Sequence, residues 1–215
     1  MSTTHCSDSQ CPPYNGALHR CSHQQGTPIN SAVLVIDVQT VLFDPQPQPF
    51  ERDQVISRIN QVSEWAHGAG VAVIFVQHEK PDSVLAYGSD GWSLQSELKV
   101  TPHDHLIRKQ TPDSFLHTDL DELLKQQQIK HLIVCGYASE FCIDTSVRSA
   151  AALGYDITLL ADAHTTHDKE HANAELIRQH ENITLPHLTS FGRNITAMTT
   201  EQFLIQMTTH LERAQ

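Results

Sequence analysis

The sequence predicts an α/β, three-layer doubly wound fold: a mainly parallel sheet of about six strands with helices on both faces. Three observations carry that expectation. Short continuous apolar runs rich in β-branched residues, Ala32-Val33-Leu34-Val35-Ile36 first among them, suit strands buried on both sides. Between such runs lie stretches of helical periodicity, as βαβ units require. The 215 residues, 39 % apolar and 18 % charged, are enough for one domain of ordinary size with a well-buried core.

Residues 1–28 are polar, contain Pro and Gly and show no periodicity, so they read as a flexible leader to a domain spanning 29–215. Cys6, Cys11 and Cys21 lie near His5, His19 and His23 there, at spacings that match no zinc finger. After the strand 32–36, Val55, Ile59, Val62 and Ala66 mark a helix over 51–67, closed by Gly68 and Gly70. Val71 to Val76 is the next strand. A long irregular stretch follows, containing the short apolar segment Leu106-Ile107 before Arg108-Lys109. A helix over 120–127, a strand over 131–136 and a helix from Ser139 to Leu153, stopped by Gly154, complete the centre of the chain. The remainder reads as a strand over 156–160, a helix over 169–180, a short strand over 183–185 and a helix over 199–213.

Charge and hydropathy exclude several classes. A formal charge of -11 leaves no basic face for nucleic acid. No apolar run approaches the ~20 residues of a spanning helix, so no membrane partner is expected. The N-terminal residues lack a basic start followed by an apolar stretch, which makes a cytoplasmic location the expectation. Five unevenly distributed cysteines do not form a disulfide framework.

In open parallel sheets, ligands bind beyond the carboxyl ends of the strands. Asp37 ends the first strand, Gln77-His78 the second, and 136–142 follows the strand 131–136, so all three face one crevice. Cys142 falls in the first turn of a helix, where unpaired N–H groups and a partial positive charge favour thiolate and can hold an oxyanion. Asp37 interrupts an apolar run, where a carboxylate is costly unless paired or functional. Lys109 adds a cation after its own apolar segment. Taken singly, these are a small buried cysteine, a capping carboxylate and a solvated lysine; together they are a nucleophile, a base and a counter-charge. His103 and His105, and likewise His164, His167 and His171, read as surface or capping residues.

The stretches LVIDVQ at 34–39, GSDGWSL at 88–94, RKQTPDSF at 108–115 and CGYASEFCIDTSVRSAAALGYDITLLADAHTT at 135–166 resemble the isochorismatase-like cysteine hydrolases, from about Ala32 onward. That family includes nicotinamidases and N-carbamoylsarcosine and biuret amidohydrolases. The resemblance implies catalytic roles for Asp37, Lys109 and Cys142, and a cis peptide at Tyr137-Ala138 that presents the N–H of Ala138, with that of Cys142, to an oxyanion. It implies hydrolysis of a C–N bond in a small amide or ureido substrate through a thioester on Cys142, without cofactor, and a homo-oligomer, dimer or tetramer. Phe43, Tyr87, Trp92, Phe115 and Tyr137 are the expected substrate contacts, from segments that should roof the crevice. Ser139 and Ile143 stand where the family usually has Thr and Val. The Asp-x-His metal pair of nicotinamidases is missing at 76–80, which leaves His78 as an isolated ligand candidate and no metal expected. A non-catalytic binding module and a redox-active thiol protein on the same fold are the alternatives.

Overall fold

The computed structural model describes residues 30–213. Six strands form one all-parallel sheet in the order β3-β2-β1-β4-β5-β6: β1 (Ser31–Ile36), β2 (Ala72–His78), β3 (His105–Lys109), β4 (His131–Tyr137), β5 (Asp156–Thr165) and β6 (Ile195–Met198). The helices are α1 (Thr40–Phe43), α2 (Arg52–Ala69), α3 (Leu120–Gln126), α4 (Asp144–Leu153), α5 (Ala174–Thr184) and α6 (Thr200–Arg213). No helix among the described residues is long and apolar enough to cross a membrane. The leader and its three cysteines lie outside the described residues.

The central strand β1 shows why its run is unbroken by polar residues. Ala32, Leu34 and Ile36 point into one core with Leu120 and Leu124 of α3 and Val147, Ala150 and Ala151 of α4. Val33 and Val35 point into the other, with Val55, Ile59 and Val62 of α2 and Phe203 of α6. The period-2 alternation of a strand therefore feeds two helical layers at once. At roughly 25 cal/mol per Å² of apolar surface removed from water, this two-sided burial is the main force holding the layers. Val147, Ala150 and Ala151, an apolar face that could serve core or interface, are core.

Several elements differ from the sequence expectation, among them β3, which falls in the stretch read as irregular, and β5, which runs on to Thr165. The run 183–185 is no strand: it ends α5 and enters a 3₁₀ turn, Leu185–His187, because Ala174, Ile177, Glu181 and Leu185 are buried at helical spacing. The sixth strand is instead β6, paired to β5 from Ile157↔Ile195 to Leu160↔Met198. Helix α5 begins later than Lys169, where the Asn173 side chain accepts the Leu176 N–H. The helix after β4 opens as a π-turn, Ser139–Ile143, before α4 proper.

Two features lock the strand ends that matter. Gly136, at φ 120°, passes so close to β1 that a Cβ would overlap the Ile36 carbonyl oxygen and stand 2.7 Å from the Ile36 nitrogen. Strand β5 runs on past β4's irregularity between Val134 and Gly136, which brings His164 opposite Gly136. His164 is not the surface residue expected: it is wholly buried, with Ser139 at 2.8 Å from Nδ1 and Asn182 at 2.9 Å from Nε2. Helix α5 covers β5 here, and a side chain bonded on both ring nitrogens tolerates that burial. His167 is half-buried, whereas His103 and His171 are exposed; His105 opens β3.

Gly136→Ala should cost about 3 kcal/mol or more, from strained φ plus backbone overlap, read as a lowered urea midpoint. Burial holds the His164 pKa down from 6.5 to about 4. A depressed histidine contributes stability that is complete above pH 6.5 and is lost as pH falls towards 4, about 3 kcal/mol in all. The drop in unfolding free energy between pH 7 and pH 4 should accordingly be smaller in His164→Gln than in the unaltered chain.

Candidate active site

Asp37, Lys109 and Cys142 come from three different strand ends and meet at one point. Asp37 leaves β1 with a left-handed φ of 53°, its N–H held by the Val76 carbonyl at 2.8 Å. Lys109 ends β3, two strands away, in register with His78 at the end of β2. Its four-carbon stem carries the ammonium past β2 to Asp37, at 2.7 Å, with side-chain exposures of 0 % and 1 %. Cys142 approaches from the other side, on the π-turn that follows β4, with Sγ 3.2 Å from Lys109 Nζ.

Lys109 Nζ has two more neighbours, the Thr111 carbonyl at 3.0 Å and His78 Nδ1 at 3.3 Å. An ammonium has three hydrogens, so four partners compete for them. Burial, then the Asp37 charge, push the Cys142 thiol up to about 12, with Lys109 pulling the other way. A raised thiol opposes the pull towards thiolate expected of a helix N-terminus, and a thiol sulfur is the weakest acceptor of the four. Burial and Lys109 also lower the His78 pKa, which keeps its ring neutral. Asp37 Oδ1 is buried without a hydrogen-bond partner among the described residues.

Donor atoms of Asp37, His78 and Cys142 lie within 4.8 Å of one another, close enough to share a metal ion. Lys109 Nζ stands within 3.3 Å of each residue, so an ammonium already supplies the positive charge among these donors. The Tyr137-Ala138 peptide is cis. The Ala138 carbonyl accepts from the N–H groups of Phe141 and Ile143, both at 3.1 Å, which flank that of Cys142.

The aromatic residues expected at the substrate divide. Phe43 is fully buried against Tyr137, and Phe115 stacks on Tyr155 in the opposite core; both pack the fold. Trp92 is half-buried, and its carbonyl is gripped by Gln39 at 2.7 Å and Gln77 at 3.0 Å. Tyr87 is exposed, edge-on to Trp92 and under Arg108. The Tyr137 hydroxyl meets His167 Nδ1 at 2.9 Å. Sequence reasoning missed Gln39, whose buried amide clamps the His78 peptide through both its oxygen (2.9 Å) and its nitrogen (3.0 Å). Its signal was a polar residue two positions beyond Asp37, still inside the apolar run.

Comparison with known proteins agrees with this architecture. The family model described as the isochorismatase domain matches residues 31–189. A streptothricin hydrolase of Streptomyces noursei is 35 % identical over 138 residues, covering 64 % of this chain and 50 % of its own. A second from that species is 32 % identical and 55 % covered, so the chain spans about half the length of both. A ureidoacrylate amidohydrolase of Caulobacter segnis is 28 % identical, covering 63 % of this chain and 72 % of its own. Among solved structures, an isochorismatase family protein at 34 % identity superposes with a TM-score of 0.71, covering 79 % of this chain and 98 % of its own. A cysteine hydrolase from Pseudomonas syringae pv. phaseolicola shares the fold, at TM-score 0.76 and 21 % identity, over 85 % of this chain and 94 % of its own. With the family model covering most of its length, the chain belongs to the isochorismatase-like hydrolase family.

Proposed function

We propose that this protein hydrolyses a C–N bond of a small amide or ureido compound through a thioester on Cys142. One observation carries the reading: a thiol, a buried carboxylate with a free oxygen, and an ammonium in contact at the crevice. The names of the relatives, a streptothricin hydrolase and a ureidoacrylate amidohydrolase, point to the same bond class.

In this mechanism Asp37 Oδ1 takes the proton of Cys142. The ammonium of Lys109 turns one N–H from His78 towards the new thiolate, a rotation rather than a translation, since the two distances are 3.3 and 3.2 Å. The thiolate attacks the carbonyl carbon, and the oxyanion is held by the N–H groups of Ala138 and Cys142. The C–N bond breaks as Asp37 returns its proton to the leaving nitrogen. Water, deprotonated by Asp37, then cleaves the thioester and restores the thiol. Trp92, Tyr87 and Tyr137 remain the proposed substrate-side aromatics. A redox role has less support: Cys135, the other described cysteine, is fully buried, with its thiol pushed up by desolvation.

Ammonia release over a panel of streptothricin, ureidoacrylate, carbamoyl amino acids, biuret, maleamate and nicotinamide tests the reading. Wild type should act on at least one, and Cys142→Ala on none, while melting as wild type does; full activity in Cys142→Ala would overturn it. Asp37→Asn separates base from nucleophile. Losing the base should cut kcat by about 10²–10⁴-fold. Losing the negative charge that raises the thiol should also make Cys142 alkylate faster at pH 8, because Lys109 then acts unopposed. A variant whose alkylation slowed would contradict the assignment of Asp37.

A further inference from the structure

The π-turn that carries Cys142 is held from behind by side chains, not by a regular helical ladder. Within it the Ile143 N–H reaches back five residues to the Ala138 carbonyl, which makes a wider and less constrained turn than an α-helix. The end of β5 supplies what the turn lacks. Tyr137 meets His167 at 2.9 Å, Thr166 Oγ1 donates to Glu140 Oε1 at 2.9 Å, and Ser139 meets His164 at 2.8 Å. Three side chains at and just beyond the end of β5, those of His164, Thr166 and His167, thus hold Ser139, Glu140 and Tyr137, which lead to the thiol.

The Ser139 contact is the deepest of these, both residues being 0 % exposed, and its direction is fixed by the chain of bonds behind it. The Ala161 carbonyl can only accept, so the Asn182 amide turns its nitrogen to it, at 2.8 Å. Asn182 Oδ1 then faces His164 Nε2, at 2.9 Å, and that nitrogen carries the ring proton. Nδ1 is left bare, so the Ser139 hydroxyl donates. A chain of four groups, its last two (His164 and Ser139) fully buried, ends on the first residue of the turn that carries Cys142. None of these groups lies among the close contacts of Lys109 or in the Asp37/His78/Cys142 cluster.

We infer that Ser139 and His164 are positioning residues: their hydrogen bond sets the π-turn so that Cys142 meets Asp37 and Lys109. The inference rests on the proposed hydrolase reading for its catalytic consequence, but the geometry of the thiol is measurable without turnover. Ser139→Ala removes the hydroxyl, and Ser139→Thr keeps it. Both variants and wild type would be compared for melting temperature, for kcat and KM on the amide found above, and for the pH midpoint of Cys142 alkylation by iodoacetamide, read on the Cys142 peptide by mass spectrometry.

A displaced nucleophile should lower kcat in Ser139→Ala by between about tenfold and a hundredfold, with KM little changed. The alkylation midpoint should move down towards that of an ordinary thiol, because burial and Asp37 are what raise it. Ser139→Thr should restore both. A folded Ser139→Ala protein with wild-type kcat and an unmoved midpoint overturns the inference while leaving the hydrolase reading intact. A moved midpoint in a protein whose wild type cleaves no amide supports the positioning role and removes the hydrolase reading.

Discussion

The structure depends on one buried ion pair. Asp37 and Lys109 are almost inaccessible to solvent, and removing two such charges from water costs several kcal/mol per ion unless geometry and further bonds offset it. The offset here is specific. The pair is 2.7 Å long, and the ammonium also reaches a backbone carbonyl, an imidazole and a sulfur. It can form only if β1 and β3 flank β2 in parallel, with their carboxyl ends level. The register Ile36↔Val76 and His78↔Lys109 provides that arrangement. A slip in either strand would strand a charge in the interior, so the pair specifies sheet order as well as chemistry.

The same pair acts, after burial, on the Cys142 thiol. A carboxylate beside a buried thiol raises it, whereas an ammonium alone would lower it, and the combination keeps the proton on sulfur. In the proposed mechanism reactivity appears when the carboxylate accepts the proton, at which point Lys109 faces a thiolate and a neutral acid. Charge is conserved within the cluster throughout, which a low-dielectric site favours.

Much of this was legible in the sequence, and the limits are instructive. The strand at 32–36 and the two-sided core followed from uninterrupted β-branched runs, and the convergence of Asp37, Lys109 and Cys142 followed from their places at strand ends. What escaped depended on contacts between distant residues. Ile183-Thr184-Leu185 has strand-like composition, yet its burial is set by a helix whose cap lies ten residues earlier, at Asn173. The irregularity that carries β5 on to His164 has no local signature, so a buried histidine looked like a surface one. Phe43 and Phe115 were placed by sequence in irregular segments over the crevice, but Phe43 ends α1, Phe115 lies in the loop before α3, and both rings pack the cores.

The segment between β2 and β3 crosses the strand ends without a helix or strand of its own. Its firm attachment to the sheet is a short seam near Trp92, where Gln39 and Gln77 hold one carbonyl and Thr40 and Gln95 exchange backbone bonds with Ser93 and Val38. Asp37 and Lys109, by contrast, are rooted at strand ends, and Cys142 on the π-turn that follows β4. The outer reach of the segment, around the exposed Val84 and Tyr87, contributes none of the Asp37, Lys109 and Cys142 side chains. On the proposed reading, the part of the chain that would choose a substrate and the part that would cleave it are separately anchored.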